Sequence, residues 1–340
     1  MTGASLGDVI LEVEHLETHL DTKMGLVKAV DGVSFSLRRG ETLGIVGESG
    51  SGKSMTALSI LRLAPRPAAR IVGGRVLLDG KDLLRHGAEE MRRVRGRFIS
   101  MVLQDPQTSL NPVYTIGGQI AEAIAMHRDV PRPELLSRAV AALRRVRVAA
   151  PEQRVRDHPH QLSGGMKQRV VGAIASSCEP RVLIADEPTT ALDATIQAQY
   201  LRLLKDIQRE SGLSIIFITH DFGIVADMCD QVAVMYGGRI VEYGPVRAIF
   251  NTPAHPYTQA LLSSVPAVDR TVERLYSIPG QPPSLWDLPP GCRFEPRCRW
   301  AEPRCRREYP PVLPGRGAGD AAHSASCWKL EDPEWDNPRC

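Results

Sequence analysis

Eight consecutive residues, GESGSGKS from Gly47 to Ser54, constrain the fold of this chain more than any other feature. They fit the pattern G-x-x-x-x-G-K-[ST], whose glycines let the backbone approach an anion because no Cβ blocks the way. The N–H groups of such a loop, and those at the start of the next helix, point at the bound anion. The apolar run at 42–46 predicts a buried strand, and residues 55–63 predict a helix. We therefore expect a strand, a phosphate-binding loop and a helix in succession.

The positions of this loop divide between backbone and side-chain roles. Lys53 supplies a point charge to the β- and γ-phosphates, and Ser54 offers its hydroxyl to Mg²⁺. The predicted nucleotide-binding residues are Gly47, Glu48, Ser49, Gly50, Ser51, Gly52, Lys53 and Ser54. Together they predict a site for ATP or a similar triphosphate, bound with magnesium.

Two carboxylates follow a second apolar run, at 182–185. Asp186, at the tip of this predicted strand, suits a Mg²⁺ ligand, either directly or through water. Glu187 can polarise an attacking water as a general base. Acidic residues also end strands as helix caps, so a structural explanation exists. The presence of the phosphate loop in the same chain favours the catalytic interpretation.

Size and composition exclude several classes of protein. The chain has 340 residues, 43% hydrophobic and 24% charged, which suits one or two ordinary globular domains. Its net charge of +3 does not indicate nucleic-acid binding. No run approaches the roughly 18 apolar residues of a membrane span. Residues 1–15 lack the basic and apolar regions of a signal peptide. We expect the chain to stay in the cytoplasm and any membrane role to depend on a partner.

Hydrophobic periodicity predicts an α/β fold. Alternating residues at 9–46 predict antiparallel strands, and a helical pattern extends from 115 to 147. Short apolar runs at 97–103, 181–186 and 214–219 predict strands. Strands that alternate with helices predict a parallel sheet covered on both faces. After about 252 proline, arginine and cysteine become frequent, which predicts an appended, loop-rich module.

A second glycine-rich helix start occurs in LSGGMKQR, residues 162–169. Ser163, Gly164 and Gly165 precede a helix predicted to extend to about Ser177, and its free N–H groups would suit further phosphate contacts. A glycine turn that merely caps a helix is the simpler alternative. The segment also resembles the signature motif of ATP-binding cassette (ABC) proteins.

The other motifs of that family are present in chain order. Gln104 resembles the glutamine loop, residues 190–193 the D-loop, and His220 the switch histidine that contacts the γ-phosphate. The resemblance covers about residues 9–250. It implies an ABC-type P-loop ATPase core over 1–250, with an antiparallel β subdomain and a helical subdomain at 105–170. The cysteine-rich C-terminal extension would then comprise residues 251–340.

The resemblance implies a mechanism in which two cassettes sandwich two ATP molecules. Each ATP lies between the phosphate loop of one subunit and Ser163-Gly164-Gly165 of the other. The implied catalytic residues are Glu187, His220 and Gln104, and the implied Mg²⁺ ligands are Ser54, Gln104 and Asp186. One position departs from the family pattern, because no aromatic residue lies near residue 20 to stack on adenine. His19 or Leu20 would have to contact the base instead.

Two further segments resemble one branch of the family. QDPQTSLNP at 104–112 and HPYTQALLSSVP at 255–266 resemble the ATPase subunits of oligopeptide, dipeptide and nickel importers. This implies import of di- or oligopeptides, on the cytoplasmic face of the inner membrane. The implied partners are a second ATPase subunit in a heterodimer, two membrane permeases and an extracytoplasmic substrate-binding protein.

Three alternatives to a peptide importer remain at this point. They are a soluble ABC ATPase of translation or DNA repair, an ABC exporter subunit, and an importer of nickel or another small solute. The single cassette and the absence of a sustained heptad argue against the soluble class. The importer-like tail argues against an exporter.

Four cysteines in the tail, Cys292, Cys298, Cys305 and Cys327, have the spacing C-x5-C-x6-C-x21-C. A cysteine-rich tail on a cytosolic protein suggests metal before disulfide, and four thiolates suit a [4Fe–4S] cluster or a zinc ion. Spacing alone does not choose between them, whereas the family resemblance favours the cluster. Six arginines at 291–307 would offset the negative charge of either site. His323 could replace Cys327 as a ligand, and Cys340 is expected to be spare.

Overall fold

A computed structural model describes residues 9–190, 192–265, 276–315, 322–332 and 334–335. These residues group into two compact units. Unit 1 comprises residues 9–10, 37–41 and 85–217, and unit 2 comprises 11–36, 42–84 and the described residues from 218 onward.

The strands and helices predicted from periodicity lie close to the expected positions, and the structure contains further elements that were not predicted. The strands are β1 (Val9–Thr22), β2 (Gly25–Arg38), β3 (Thr42–Val46), β4 (Ala69–Leu78), β5 (Lys81–Asp82), β6 (Ile99–Val102), β7 (Val182–Asp186), β8 (Ser214–Thr219), β9 (Gln231–Tyr236), β10 (Arg239–Pro245), β11 (Leu313–Pro314) and β12 (Ser324–Ala325). The helices are α1 (Lys53–Ile60), α2 (Ala88–Val94), α3 (Pro106–Ser109), α4 (Ile116–His127), α5 (Leu135–Arg145), α6 (Pro151–Arg154), α7 (Gly164–Ser176), α8 (Ala194–Ser211), α9 (Phe222–Met228), α10 (Val246–Asn251), α11 (Pro256–Ser263) and α12 (Pro303–Arg307).

Unit 2 contains a sheet of strand order β2-β1-β4-β5, in which β1 pairs antiparallel with β4 and β4 with β5. A register shift interrupts β1 near His15, whose φ of 46° lies in the left-handed region. Gly74 on β4 lies against this irregularity, since a Cβ there would come within 2.6 Å of the Cα of Leu16. β1 is antiparallel to its neighbour β4, which agrees with the alternation at 9–46, whereas β3 belongs to the other strand group.

The second strand group of unit 2 has the order β11-β12-β10-β9-β3. β3 and β9 are parallel, and the pairs from β9 to β11 are antiparallel. Every residue of β3 is buried, as its apolar sequence predicts. Gly44 allows this close packing, because a Cβ there would lie 2.8 Å from the sulfur of Cys229. β3 leads into the phosphate loop and then into α1, so the predicted strand–loop–helix is confirmed.

Unit 1 contains β6, β7 and β8 in neighbouring positions, with β6 and β7 parallel. The helical pattern at 115–147 is divided between α4 and α5, with a 3₁₀ turn at Arg132–Glu134. Pro131 and Pro133 explain this break, because proline lacks the N–H that a continuous helix needs. Thr115 begins α4 by accepting a hydrogen bond from the N–H of Gly118 at 3.1 Å. Helices α3 to α6 lie within the segment 105–170 that was predicted as a helical subdomain, and α7 begins in it and ends beyond it at Ser176.

The described residues from 252 onward contain two helices, α11 and α12, with short strands and 3₁₀ turns. They group with unit 2, so the boundary at residue 250 stays a prediction. Ala191, Pro266 and Cys340 lie outside the described residues. In the part of the chain that the structure describes, every helix is too short or too polar for a membrane span.

Helix α8 begins at a side-chain cap that can be tested. Asp193, part of the predicted D-loop, accepts hydrogen bonds from the N–H groups of Thr195 and Ile196 at 3.1 and 3.0 Å. We expect Asp193→Ala to lower stability by about 1 kcal/mol, or on the order of 2–4 °C in Tm. Asp193→Asn keeps the acceptor and should melt as the wild type does. Equal melting temperatures for the alanine and asparagine variants would contradict this role.

Candidate nucleotide site and cysteine cavity

The phosphate loop in unit 2 is packed so closely that two of its glycines cannot be replaced without displacement. A Cβ on Gly47 would overlap the carbonyl oxygen of Met235, and one on Gly52 would overlap that of Ala29. Gly52 also has φ of 103° and is the N-cap of α1. The loop therefore lies directly against β9 and β2 of the same unit, and glycine is required by packing as well as by anion approach.

Lys53 is buried under the loop that precedes it, with 6% of its surface exposed. Its ammonium donates hydrogen bonds to the carbonyl oxygens of Gly47 and Glu48 at 2.8 and 2.9 Å. The N–H of Ser51 donates to the same Glu48 carbonyl at 3.2 Å. A buried charge needs such partners, and they hold the positive charge at the centre of the loop, where a phosphate would lie.

Two contacts from distant parts of unit 2 also hold the loop, and the sequence did not reveal them. The N–H of Glu48 donates to the hydroxyl of Tyr257 on α11 at 2.9 Å. The N–H of Gly238 donates to the carbonyl of Ser51 at 2.9 Å. Tyr257 is fully buried, and burial raises the pKa of its hydroxyl, so it stays protonated. The tyrosine lies in the HPYT segment, but only the fold brings it to the loop.

In unit 1 the structure brings Gln104 and Glu187 together. The side-chain amide of Gln104 donates to a carboxylate oxygen of Glu187 at 2.9 Å, and the hydroxyl of Thr190 donates to the same oxygen at 3.1 Å. Asp186 is buried at the end of β7, with 4% exposed, and Glu187 follows it. Glu187 has φ of 44°, a conformation that costs a non-glycine residue about 1–2 kcal/mol. Such strain is found where the surrounding structure fixes a functional group.

Ser163, Gly164 and Gly165 stand at the start of α7, as predicted. The hydroxyl of Ser163 accepts a hydrogen bond from the N–H of Met166 at 3.4 Å, so it is the N-cap. Ser163 and Gly164 are exposed. Gly165 has a packing role that the sequence did not predict, because a Cβ there would lie 2.8 Å from Ile196 on α8.

His220 lies in unit 2, exposed, between β8 and α9. Asp221 fixes this junction by accepting hydrogen bonds from the N–H groups of Gly223 and Ile224 at 2.7 and 3.4 Å. Of the two residues proposed to contact adenine, His19 has a buried Nε2 with no hydrogen-bond partner among the described residues. Leu20 next to it is half-buried. The adenine contact stays a prediction.

All four predicted cysteine ligands line one small cavity in unit 2. Phe294, Trp300 and Trp328 contribute aromatic rings to the same cavity, together with His255. The cavity is therefore apolar, and burial raises the pKa of the Cys292 thiol to about 11 and those of Cys298 and Cys327 to about 12. The indole N–H of Trp300 is buried with no acceptor among the described residues. These thiols stay protonated unless a cation displaces their protons.

The side-chain positions do not match a site for one metal ion. Four thiolates bound to zinc at ~2.3 Å would lie within about 4 Å of one another. No group of three or more His, Cys, Asp or Glu side chains that could hold an ion is present among the described residues. The comparisons below add no support for iron or zinc, so metal binding by these cysteines stays a prediction.

His323 and most of the arginines have other partners than those expected. His323 is buried, and its Nε2 lies 2.8 Å from a carboxylate oxygen of Glu242. It is not among the residues that line the cysteine cavity, so its proposed role as a ligand is wrong in this conformation. Four of the six arginines expected to offset thiolate charge instead pair with carboxylates: Arg293 with Asp31, Arg297 with Glu48, Arg304 with Glu308 and Glu331, and Arg306 with Glu295.

Comparison with known proteins identifies the family. Residues 30–190 match the family described as "ABC transporter", and residues 241–305 match "Oligopeptide/dipeptide transporter, C-terminal region". The chain is 50% identical over 329 residues to a probable peptide ABC transporter ATP-binding protein of Sinorhizobium fredii, covering 96% of each chain. It is 48% identical over 323 residues to the dipeptide transport ATP-binding protein DppD of Bacillus subtilis, covering 95% of each. The chain belongs to the ATP-binding proteins of ABC transporters.

Solved structures agree with this assignment to ABC ATP-binding proteins. A dimeric, post-hydrolysis ATP-binding cassette, MJ0796, bound to ADP and phosphate has a TM-score of 0.63 at 25% identity, covering 70% of this chain and 99% of that one. CbiO1 of Clostridium perfringens, part of an ABC transporter complex, has a TM-score of 0.61 at 32% identity, covering 72% and 91%. The predicted cassette fold, with mixed α/β sheets, is confirmed, and ATP and Mg²⁺ are the ligands expected for this ABC ATPase.

The packing of Gly52 gives a test of the loop. An alanine at Gly52 would have to move away from Ala29, at a strain of about 1–3 kcal/mol. We expect Gly52→Ala to weaken ATP binding on the order of tenfold or more, measured by isothermal titration calorimetry. Gly40→Ala is the matched control, because Gly40 also has positive φ but open space around its Cβ position and lies outside the loop. Equal ATP affinity in both variants would contradict the packing argument.

Proposed function

We propose that this chain is the ATP-hydrolysing subunit that powers import of di- or oligopeptides through an inner-membrane ABC transporter. The observation that carries the proposal is full-length similarity to peptide-transport ATP-binding proteins, at 48–50% identity over 95–96% of the chain. The chain also has the residues that we expect hydrolysis to need, namely Lys53, Gln104, Asp186, Glu187 and His220. The match of 241–305 to the oligopeptide and dipeptide C-terminal region supports a peptide rather than a nickel substrate.

The chemistry we propose is attack of water on the γ-phosphorus of ATP, which breaks the bond to the oxygen that bridges the β- and γ-phosphates and releases ADP and phosphate. Glu187 accepts a proton from the attacking water. Gln104, whose side-chain amide donates a hydrogen bond to the Glu187 carboxylate, orients that carboxylate and the water. Lys53 neutralises charge on the β- and γ-phosphates, and His220 contacts the γ-phosphate. Ser54, Gln104 and Asp186 would hold Mg²⁺, which would supply positive charge to offset the negative charge that develops on the phosphates.

We propose that two cassettes enclose the nucleotides. The exposed Ser163 and Gly164 at the start of α7 supply N–H groups to the ATP of a partner cassette. The dimeric cassette MJ0796, similar in fold to this chain, supports the pairing. The partner we propose is a second, different ATPase subunit.

The surface of unit 1 supports binding to membrane permeases. Leu103, Val113 and Tyr114 are large apolar residues that are 47%, 74% and 59% exposed, and they flank the importer-like segment QDPQTSLNP. Exposed apolar groups concentrated on one segment indicate an interaction site. We propose that they contact the membrane permeases through the helical subdomain at 105–170. The chain would then lie at the cytoplasmic face of the inner membrane, and the permeases would connect it with an extracytoplasmic substrate-binding protein.

We further propose that the cysteine cavity holds a [4Fe–4S] cluster with a structural role. Four thiols in one apolar cavity provide the cysteine ligands that such clusters use. The indole N–H of Trp300, which has no acceptor among the described residues, would suit hydrogen bonding to sulfur. Zinc is the weaker alternative, because the thiols do not converge on one ion. A cluster would staple a proline-rich segment that has few apolar residues of its own.

Hydrolysis can be separated from nucleotide binding by one substitution. We expect Glu187→Gln to lower kcat on the order of 100-fold or more while ATP affinity is retained, because only the base is lost. Phosphate release and ATP titration measure the two quantities. Lys53→Ala is the contrasting variant, since it should weaken ATP binding itself. Normal hydrolysis by Glu187→Gln would refute the role of Glu187.

The cluster is tested on anaerobically purified protein. We expect absorbance near 400 nm and about four iron and four sulfide per chain. Cys298→Ser should lose this absorbance, whereas Cys229→Ser, which removes a buried cysteine outside the cavity, should keep it. Colourless protein with one zinc per chain, or with no metal, would refute the cluster.

A further inference from the structure

The second residue of the phosphate loop, Glu48, is held by an arginine from the part of the C-terminal extension between Cys292 and Cys327, here called the cysteine-rich segment. The guanidinium of Arg297 donates to both carboxylate oxygens of Glu48, at 2.7 and 3.1 Å. The two residues are 249 positions apart in sequence. A bidentate pair of this kind fixes orientation as well as distance. The loop is therefore tied, through a side chain that the ATP-site motif leaves unspecified, to a part of the chain with no assigned role in nucleotide binding.

Arg297 is a fixed anchor rather than a mobile surface residue. Its side chain is 3% exposed, whereas that of Glu48 is 29% exposed. Its remaining donors are also used, by the carbonyl oxygens of Pro279 at 2.9 Å and Ile278 at 3.5 Å and by the hydroxyl of Tyr236 at 3.3 Å. Because these contacts immobilise the guanidinium, the position of the Glu48 side chain follows that of Arg297.

The pair is connected directly to the lysine of the loop. The carbonyl of Glu48 accepts the hydrogen bond from the Lys53 ammonium at 2.9 Å. The N–H of Glu48 is held by Tyr257 at 2.9 Å. The rings of Tyr257, Tyr236 and Phe294 pack on one another, with centroids 4.5–5.4 Å apart. A shift of Glu48 would thus move an acceptor of the cation that meets the β- and γ-phosphates.

A second arginine of the same segment holds the loop by another path. Arg293 is buried, and it donates to the carbonyl of Gly237 and to a carboxylate oxygen of Asp31. The next residue, Gly238, donates to the loop carbonyl of Ser51 and accepts from the N–H of Asp31, both at 2.9 Å. Burial alone would raise the pKa of Asp31, but hydrogen bonds and charge from Arg239 and Arg293 lower it. Asp31 therefore stays ionised against both arginines.

We propose that Arg297 is a positioning residue of the ATP site, which holds Glu48 and through it sets the geometry of the phosphate loop around Lys53. Cys292 and Arg293 are adjacent in the chain, as are Arg297 and Cys298, so the fold of the cysteine-rich segment determines where both arginines lie. The affinity for ATP then depends on this segment, although it contributes no predicted ligand to the nucleotide. The inference rests on the proposed ATP site and adds a positioning residue to it.

The test is a double-mutant cycle on ATP affinity. Arg297→Met and Glu48→Ala should each weaken ATP binding about tenfold, and the double variant should also lose about tenfold rather than a hundredfold, because both remove the same interaction. The loss should fall mainly on Kd and on KM for ATP rather than on kcat, because neither side chain is proposed to touch the transferred phosphate. Arg306→Met is the control: it breaks the more exposed pair with Glu295 in the same segment and should leave Kd unchanged.

Each outcome decides the matter. Unchanged Kd in Arg297→Met, or additive losses in the double variant, overturns the proposal. If Arg297→Met does not fold, Arg297→Lys keeps the charge without the bidentate pair, and it must weaken ATP binding by a smaller factor while melting near the wild-type temperature. Wild-type Kd in that variant also overturns the proposal. Lys53→Ala separates the two hypotheses, because if it binds ATP normally the nucleotide site itself is wrong, whatever Arg297 does.

Discussion

The nucleotide site depends on the hydrogen bonds between the buried ammonium of Lys53 and the carbonyl groups of its own loop. Removing a charge from water is costly unless hydrogen-bond acceptors replace the solvent. Here the carbonyls of Gly47 and Glu48 do so, and they can reach the ammonium only because the backbone wraps tightly around it. The tight wrapping requires glycine where neighbouring strands press on the loop. Strand β3, the loop and α1 therefore depend on one another. Contacts that hold the carbonyl groups of Gly47 and Glu48 also fix the position of the Lys53 ammonium.

The parts of the site that depend on local sequence were predictable. The strand, loop and helix around Lys53, the carboxylates at the end of β7, and the start of α7 after Ser163 each follow from a few neighbouring residues. The packing constraints between distant residues were not predictable. Gly165 is needed for the approach of Ile196, and Glu187 has a left-handed conformation. Such constraints arise between residues far apart in sequence, and a motif records only which residue satisfies them.

The cysteine-rich segment shows how composition can mislead. Six arginines among the cysteines suggested charge compensation for thiolates, yet Arg293 and Arg297 pair with Asp31 and Glu48 in distant parts of unit 2. The composition was interpreted correctly as basic, but the acidic partners lie more than 200 residues earlier. The grouping of all four cysteines around one cavity, by contrast, agrees with the pattern in the sequence.

A segment with so few apolar residues needs attachments other than a hydrophobic core. Glu242 provides one, since its buried carboxylate accepts hydrogen bonds from the N–H groups of Ala254 and His255 at 2.7 and 2.8 Å and contacts His323. The ion pairs of Arg293 and Arg297 provide others. Buried pairs add little net stability, because desolvation offsets much of their attraction, but they specify geometry and are costly to break singly. A segment fastened in this way is held in one position relative to the strands and loop it contacts. A residue that positions a phosphate loop depends more on this fixed position than on added stability. The fixed position therefore gives the C-terminal segment a physical reason to be joined to the cassette.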